Sequence, residues 1–267
     1  MNEDNDDHTK SGVQSVETAI AILETLRRME GGKVAAIGEE TGLSKGAVYK
    51  HLTTLTKHGF VVKDGSEYEL GFRFLDYGGW LRSRYVGSEI IKPRVQELAE
   101  ETNEVALFAI LEGGRVITLF RENGTQGVFT RTRLGRRLYP NQNAGGKAIL
   151  SQLSEAAVRS HIDAVGLPEA TENTITDEAD FMAELERIRE RGYALNREES
   201  TDGLVAVAVP VVPDDTVIGA CSVAGPRHRM DDEYLKEDVA EMILSVVNEV
   251  ELNITHSQKS VSRFGSR

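Results

Sequence analysis

The sequence predicts an α+β chain: a small winged helix-turn-helix, a connecting helix, and a larger domain in which helices flank an antiparallel, hairpin-rich sheet. Three observations carry this. Helical spacing of apolar residues up to His58 gives way to a hairpin signal at Asp64-Gly65, apolar strands alternate with amphipathic helices beyond residue 86, and charge is divided unevenly along the chain. The 267 residues, 40% hydrophobic and 28% charged with 25 Gly and 6 Pro, suit one large domain or two and exclude disordered or collagen-like polymers.

Composition also bounds function. The longest apolar run, Gly203 to Pro213, is about half the roughly 20 residues of a membrane helix, so no membrane partner is expected. Met1 to Lys10 is acidic and polar where a signal peptide needs basic and then apolar residues, and the single cysteine, Cys221, excludes a disulfide framework. A cytoplasmic protein is the expectation. The formal net charge of −12 argues at first against a nucleic-acid partner, but residues 1–9, 10–85 and 86–267 sum to −4, +2 and −10. Within the one positive stretch, Ser44 to Lys63 carries Lys45, Lys50, Lys57 and Lys63 and no acid. Phosphate attraction is screened over about 10 Å at 0.1 M salt, so this local basic face outweighs a distant negative total.

Val16, Ala19, Ile20, Leu23 and Leu26 recur at helical spacing, with Arg27 and Arg28 in the last turn and Gly31-Gly32 as a stop. Val34 to Ile37 begins a second helix that ends at Thr41-Gly42-Leu43, where Gly42 can supply a positive φ. Ser44 is placed to cap a third helix, with Val48, Leu52 and Leu55 on one face and His58-Gly59 closing it. Its other face is Lys45, Gly46, Tyr49, Lys50, Thr53, Thr54 and Lys57, compact cationic and hydrogen-bonding groups that suit phosphates and base edges in a DNA major groove. Phe60 to Lys63 and Glu67 to Leu70 flank Asp64-Gly65 as a wing.

The run from Thr41 through Ser44, Lys45, Gly46, Ala47, Val48, Tyr49, Lys50 and His51 to Leu52, followed by Leu55 and Gly59-Phe60-Val61, resembles the winged-helix domain of IclR-type transcription regulators. In that pattern Thr stands at the place of Ala47 and Arg at that of Lys50. Lysine lacks the guanidinium fork that reads guanine, so base readout differs from the usual pattern. The expected DNA-binding set is Ser44, Lys45, Gly46, Tyr49, Lys50, Thr53, Thr54, Lys57 and Lys63, acting on double-stranded promoter DNA.

Phe72, Leu75, Leu81 and Tyr85 continue at near-helical spacing through a stretch with Tyr77, Gly78-Gly79 and the only tryptophan, Trp80. Such an aromatic helix is either core for one domain or a seam between two copies of the chain. The resemblance implies the seam, and with it a homodimer and a pairing of dimers into tetramers.

Residues 86–255 read as mixed helix and strand. Ile90 to Thr102 is an amphipathic helix with Pro93 in its first turn; Glu104 to Leu111 and Arg115 to Arg121 are strands joined through Gly113-Gly114. Ala144 to Leu153, Glu155 to Val165 and Glu178 to Arg191 are helical, Leu204 to Val211 and Thr216 to Ala224 form a second strand pair, and Asp231 to Ile254 is a closing helix. His256 to Arg267 lacks periodicity and reads as a flexible tail. The expected parts are an acidic tail, 1–11, a winged helix-turn-helix, 12–71, a linker, 72–86, the larger domain, 87–255, and the tail, 256–267.

The turn Asn141-Gln142-Asn143-Ala144-Gly145-Gly146-Lys147-Ala148 could present backbone N–H groups to a carboxylate at a helix N-terminus. It is no phosphate loop: Ala148 stands where Ser or Thr would ligate Mg²⁺, and Asn141 where the first glycine belongs. With Tyr193 to Glu199, Gly203 to Ala208 and Gly219 to Pro226, it resembles the effector domain of the same family, of GAF or profilin-like type, so the likeness spans roughly residues 15–250. The resemblance implies a small-molecule pocket lined by Ala144, Gly145, Asn196, Leu204, Ala206, Ser222 and Ala224. The family often has His at Asn141, Asp at Asn196, Cys at Ala206 and Ser at Ala224; the less polar set here favours a larger or less anionic ligand. Arg131, Arg133, Arg136 and Arg137, with Arg121 nearby, are either a solvated loop or, at Arg131 and Arg133, an attraction for an anionic effector such as a sugar acid or aromatic acid.

Catalysis finds no support. The six histidines lack metal-ligand spacing, Cys221 lies in an apolar strand as an inert thiol, Glu198 and Glu199 lack an evident partner, and neither a nucleophile elbow nor a dinucleotide fingerprint occurs. No cofactor and no metal are expected. The reading is a transcription regulator responsive to a metabolite, of the kind that controls catabolic genes. The alternative is a metabolite sensor that acts through protein contacts without sequence-specific DNA binding.

Overall fold

The computed structural model describes residues 12–127 and 133–264. Contacts divide the chain into two units, one ending at Leu81 and the other beginning at Arg82.

The first unit holds α1 (Gln14–Met29), β1 (Gly32–Lys33), α2 (Val34–Thr41), α3 (Lys45–Lys57), β2 (Val61–Asp64) and β3 (Glu67–Leu70). Its core is Ile22 and Leu26 of α1, Ile37 of α2, Val48 and Leu52 of α3, and Val61 and Tyr68 of the sheet. Gly42 ends α2 at φ 70, a left-handed turn that costs a residue without Cβ nothing, so that α3 can start three residues later. The Ser44 hydroxyl accepts from the Ala47 N–H at 3.2 Å, capping α3 as the sequence predicts. The wing turns on Gly65-Ser66, because Asp64 already pairs with Glu67. Gly31-Gly32 is more than a stop: Glu30 takes the left-handed position after α1, and Gly32 and Lys33 add a third strand by pairing with Tyr68 and Glu67.

α4 (Arg73–Ser83) follows and buries no residue. Its first turns rest on Phe60, whose ring lies 5.1 Å from Phe74 and 5.7 Å from Tyr77, with Arg73 against both Phe60 and Tyr77. Tyr85, read from the sequence with this helix, lies beyond it and packs on the core of the second unit, next to Phe108.

The second unit is a six-stranded antiparallel sheet between two helical layers. β4 (Val105–Glu112), β5 (Arg115–Asn123), β6 (Arg137–Leu138), β7 (Ala194–Arg197), β8 (Leu204–Val211) and β9 (Gly219–Pro226) lie in the order β6-β5-β4-β9-β8-β7. One face packs on α5 (Ser88–Thr102) and α10 (Ala240–Phe264) through Phe108, Val205, Val207, Val209, Cys221 and Val223. The other meets α6 (Ala144–Ser151), α7 (Glu155–Val165) and α8 (Glu178–Arg191) through Ala194, Ala206, Ala208, Ala220 and Ala224.

Several boundaries differ from the sequence reading. Pro93 is the sixth residue of α5, where the helix gives up a backbone bond to Glu89. β6 and β7 are strands too short for their pattern to show. β9 starts at Gly219, because Asp214 and Asp215 adopt left-handed φ after Pro213 and hold Thr216 out of the ladder. Short α9 (Asp232–Tyr234) leads through a π-helical turn, Leu235–Val239, into α10, which continues to Phe264 across part of the segment read as a tail. The acidic segment 1–11 and Arg131 lie outside the described residues.

Candidate nucleic-acid interface and effector site

On α3, Val48 and Leu52 point into the core, while Lys45, Gly46, Tyr49, Lys50, Thr53, Thr54 and Lys57 are all exposed. Amphipathic spacing alone produces this split. The Thr53 and Thr54 hydroxyls donate back to the Tyr49 and Lys50 carbonyls, at 2.8 and 3.1 Å, which leaves their methyl groups and remaining lone pairs outward. Ser44 is exposed at the helix start, its hydroxyl engaged as the cap. Lys63 is cross-strand to Tyr68 and holds its ammonium 5.5 Å from that ring. Asp64, Glu67 and Glu69 are exposed on the same hairpin, so the basic surface belongs to α3 and the wing is acidic.

In the second unit, the ladder brings the other predicted residues into register. Asn196, Ala206 and Ala224 face one another across β7, β8 and β9, and one row along Arg121, Leu107, Ser222, Ala208 and Ala194 do the same from β5 to β7. Leu204 is one further pair along β8, opposite Pro226. Ala206, Ala224 and Ser222 keep 8%, 6% and 5% exposure in central strands, and Leu107 keeps more. These small residues line the sheet face on which α6 packs and keep a little accessible surface there. The Ser222 hydroxyl has no hydrogen-bond partner among the described residues.

Ala144 and Gly145 open α6 against this face, Gly145 lying over Ala109 and Ala220. The Asn143 side chain caps the helix through the Gly146 N–H at 2.7 Å, and Ala144 and Gly145 are left with free N–H groups. Gly146 cannot be larger: a Cβ there would fall 2.5 Å from Pro140 Cα.

Asn196, expected to line the pocket, is spent on structure. Its amide donates to the Gln142 carbonyl and the Ser200 hydroxyl, and its oxygen accepts from the Glu199 N–H. Glu198 and Glu199 do have partners. Glu198, at φ 63, pairs with Arg227 and accepts from the Gly203 N–H. Glu199 pairs with Lys147 at 2.5 Å, both buried. Burial pushes the Lys147 pKa down and the Glu199 pKa up, in each case against the pull of the partner's charge. The Cys221 thiol is fully buried and pushed up to about 12, which leaves it inert.

Of the arginines, Arg133 is exposed on its loop. Arg121, by contrast, is half-buried on the same sheet face as Ser222, and its Nε is buried without a partner. No group of three or more His, Cys, Asp and Glu residues is arranged to hold a metal among the described residues, and no described helix is long and apolar enough to cross a membrane.

Residues 15–65 match the IclR helix-turn-helix domain and residues 86–252 match the bacterial transcriptional regulator IclR C-terminal domain. The chain belongs to the IclR family. The HTH-type transcriptional regulator XynR of Escherichia coli is 30% identical over 84% of this chain and 90% of its own. The crystal structure of the Thermotoga maritima IclR superposes with a TM-score of 0.76 at 25% identity, covering 91% of this chain and 99% of that one. The inducer-binding domain of the PobR transcription factor from Acinetobacter, solved as a double mutant with 3-hydroxybenzoic acid, covers 61% of this chain and 96% of its own at 27% identity and a TM-score of 0.57. This IclR-family chain is therefore an HTH-type transcriptional regulator with a C-terminal effector-binding domain, and its relatives are regulators rather than enzymes.

Proposed function

We propose that the protein binds promoter DNA through α3 and that a small organic acid on the sheet face under α6 modulates this binding. Tyr49, Lys50 and Thr53 read bases, Lys45, Lys57 and Lys63 contact phosphates, and Ser44, Gly46 and Thr54 complete the surface. The observation that carries the reading is that Lys45, Gly46, Tyr49, Lys50, Thr53, Thr54 and Lys57 are exposed together on a helix capped by Ser44 and without a single acid, with Lys63 exposed on the neighbouring hairpin. At that site, the free N–H groups of Ala144 and Gly145, the Ser222 hydroxyl and the small surfaces of Ala206 and Ala224 receive the effector. The genes controlled are of the catabolic kind.

The active species is a homodimer, as two half-sites on DNA require. Supporting this, Phe72, just before α4, and Leu75, Trp80 and Leu81 within it are 89%, 70%, 56% and 61% exposed, and Val16 and Ile20 of α1, with Val13 just before it, are exposed too. Pairing of dimers into tetramers extends the same reading.

The test uses duplexes that the wild-type protein selects from a random pool. Retardation should fall steeply with salt, by about one unit of log–log slope per phosphate contacted. Lys45, Lys50 and Lys57 replaced together by Glu should abolish it while leaving the fold intact by circular dichroism. Undiminished retardation by that variant would falsify the reading.

A further inference from the structure

We propose that Arg121 is the counter-ion of the effector and restricts the site to monocarboxylic acids with an uncharged body. The inference rests on the reading of the sheet face under α6 as the effector site and adds to it the residue that selects charge.

The ladder aims Arg121 inward. It is paired with Leu107, which is paired with Ser222, and residues paired across strands share a face. Strand spacing of about 4.8 Å puts Arg121 and Ser222 about 10 Å apart across Leu107, a gap that an arginine side chain and one carboxylate can close. The body of such an acid then lies on Leu107, Ala206 and Ala224, all apolar and all still partly accessible.

The chemistry of Arg121 is unfinished. Other half-buried arginines of this unit are answered: Arg94 by Glu97 and Glu249, Arg191 by Glu184, and Arg229 by both oxygens of Glu104; Arg82 shares a buried Nε without a partner among the described residues, but its guanidinium lies over the Phe120 ring on the opposite sheet face. Arg121 makes no ion pair or hydrogen bond with any described residue, and a buried donor left unmade is costly. Lys147, the other cation buried against this face, is neutralised by Glu199. One free guanidinium and one free hydroxyl match one carboxylate; a phosphate dianion would leave a charge unanswered.

The experiment is calorimetry and thermal shift on the full chain with a panel of acids, aliphatic monocarboxylates of increasing length, benzoate, and 3- and 4-hydroxybenzoate, each beside its primary amide. Wild-type protein should bind at least one acid and prefer it to its amide. Arg121→Gln should weaken that acid about ten- to a hundredfold and erase the preference, while the ligand-free melting temperature stays the same or rises. Arg121→Lys should retain part of the preference. Ala206→Leu, which adds bulk to that face, should abolish binding of acid and amide alike. If Arg121→Gln keeps the preference, or wild-type protein binds amides as well as acids, Arg121 is not the counter-ion, and loss of binding in Ala206→Leu shows that the effector site itself stands. If no member of the panel binds wild-type protein, the proposal falls. If binding survives Ala206→Leu, this face is not the site and both readings fall. Should Arg121→Gln fail to fold, the acid-to-amide ratio in Arg121→Met decides.

Discussion

The two faces of the six-stranded sheet draw on different residues. Toward α5 and α10 the strands present Phe108, Val205, Val207, Val209 and Val223, which interlock with Ile91, Leu98, Ile243 and Val247; toward α6 they present Ala194, Ala206, Ala208, Ala220, Ser222 and Ala224. Branched and aromatic side chains bury large area and hold the sheet together. Alanine and serine bury little, and the surface they leave can receive a guest. By alternation alone, one sheet thus presents a tightly interlocked face and a face of small residues on which the proposed effector site rests, because successive residues point to opposite faces.

Three substitutions should break or sharpen this contrast. The largest effect belongs to the buried Lys147–Glu199 ion pair on the α6 face. Lys147→Met strands Glu199 and should cost about 3–5 kcal/mol in urea unfolding at neutral pH. Burial holds the Glu199 pKa above its unfolded value, so the neutral acid is the form the fold tolerates. Its contribution is present below the unfolded pKa and lost as pH rises through the folded one; the deficit of the variant should therefore shrink as pH falls from neutral toward the ordinary carboxylate range. Next, Ile243→Ala on the α10 side should cost about 3 kcal/mol with no dependence on pH in that range and no change in ligand preference. Smallest is Ser222→Ala, expected to leave stability within about 0.5 kcal/mol because its hydroxyl serves no protein partner. The same variant should reduce the thermal shift produced by a bound acid. A large stability loss in Ser222→Ala would erase the distinction between the faces.

Local chemistry was legible in the sequence. Ser44 reads as a cap because its side chain and the Ala47 N–H are three residues apart, and Gly42 reads as a left-handed stop because the chain must turn there. The exposed face of α3 follows from 3.6-residue spacing. What escaped depends on partners distant in the chain. Lys147 and Glu199 are 52 residues apart, and nothing in either neighbourhood announces the other. Asn196 bonds to the Gln142 carbonyl, 54 residues away, a partner that its own neighbourhood does not announce. Gly32 and Lys33 became a strand only because β3 offered its free edge. Arg121 is the clearest case. Alternation along β5 would place it opposite Thr118, yet the register shifts between Phe108 and Ala109, leaving Leu119 as an extra residue. That bulge reverses the phase and turns Arg121 toward Ser222.

The widened turn at Leu235–Val239 has a similar effect on the closing helix. Leu235, Val239, Ile243 and Val247 are spaced by four, and three such steps would carry an ordinary helix about 120° around its axis. A turn closed by bonds five residues apart takes up part of that drift. A one-residue deletion that restored the regular pitch would swing one end of this seam off the sheet, so the irregularity is what lets a single rod stay seated along its length.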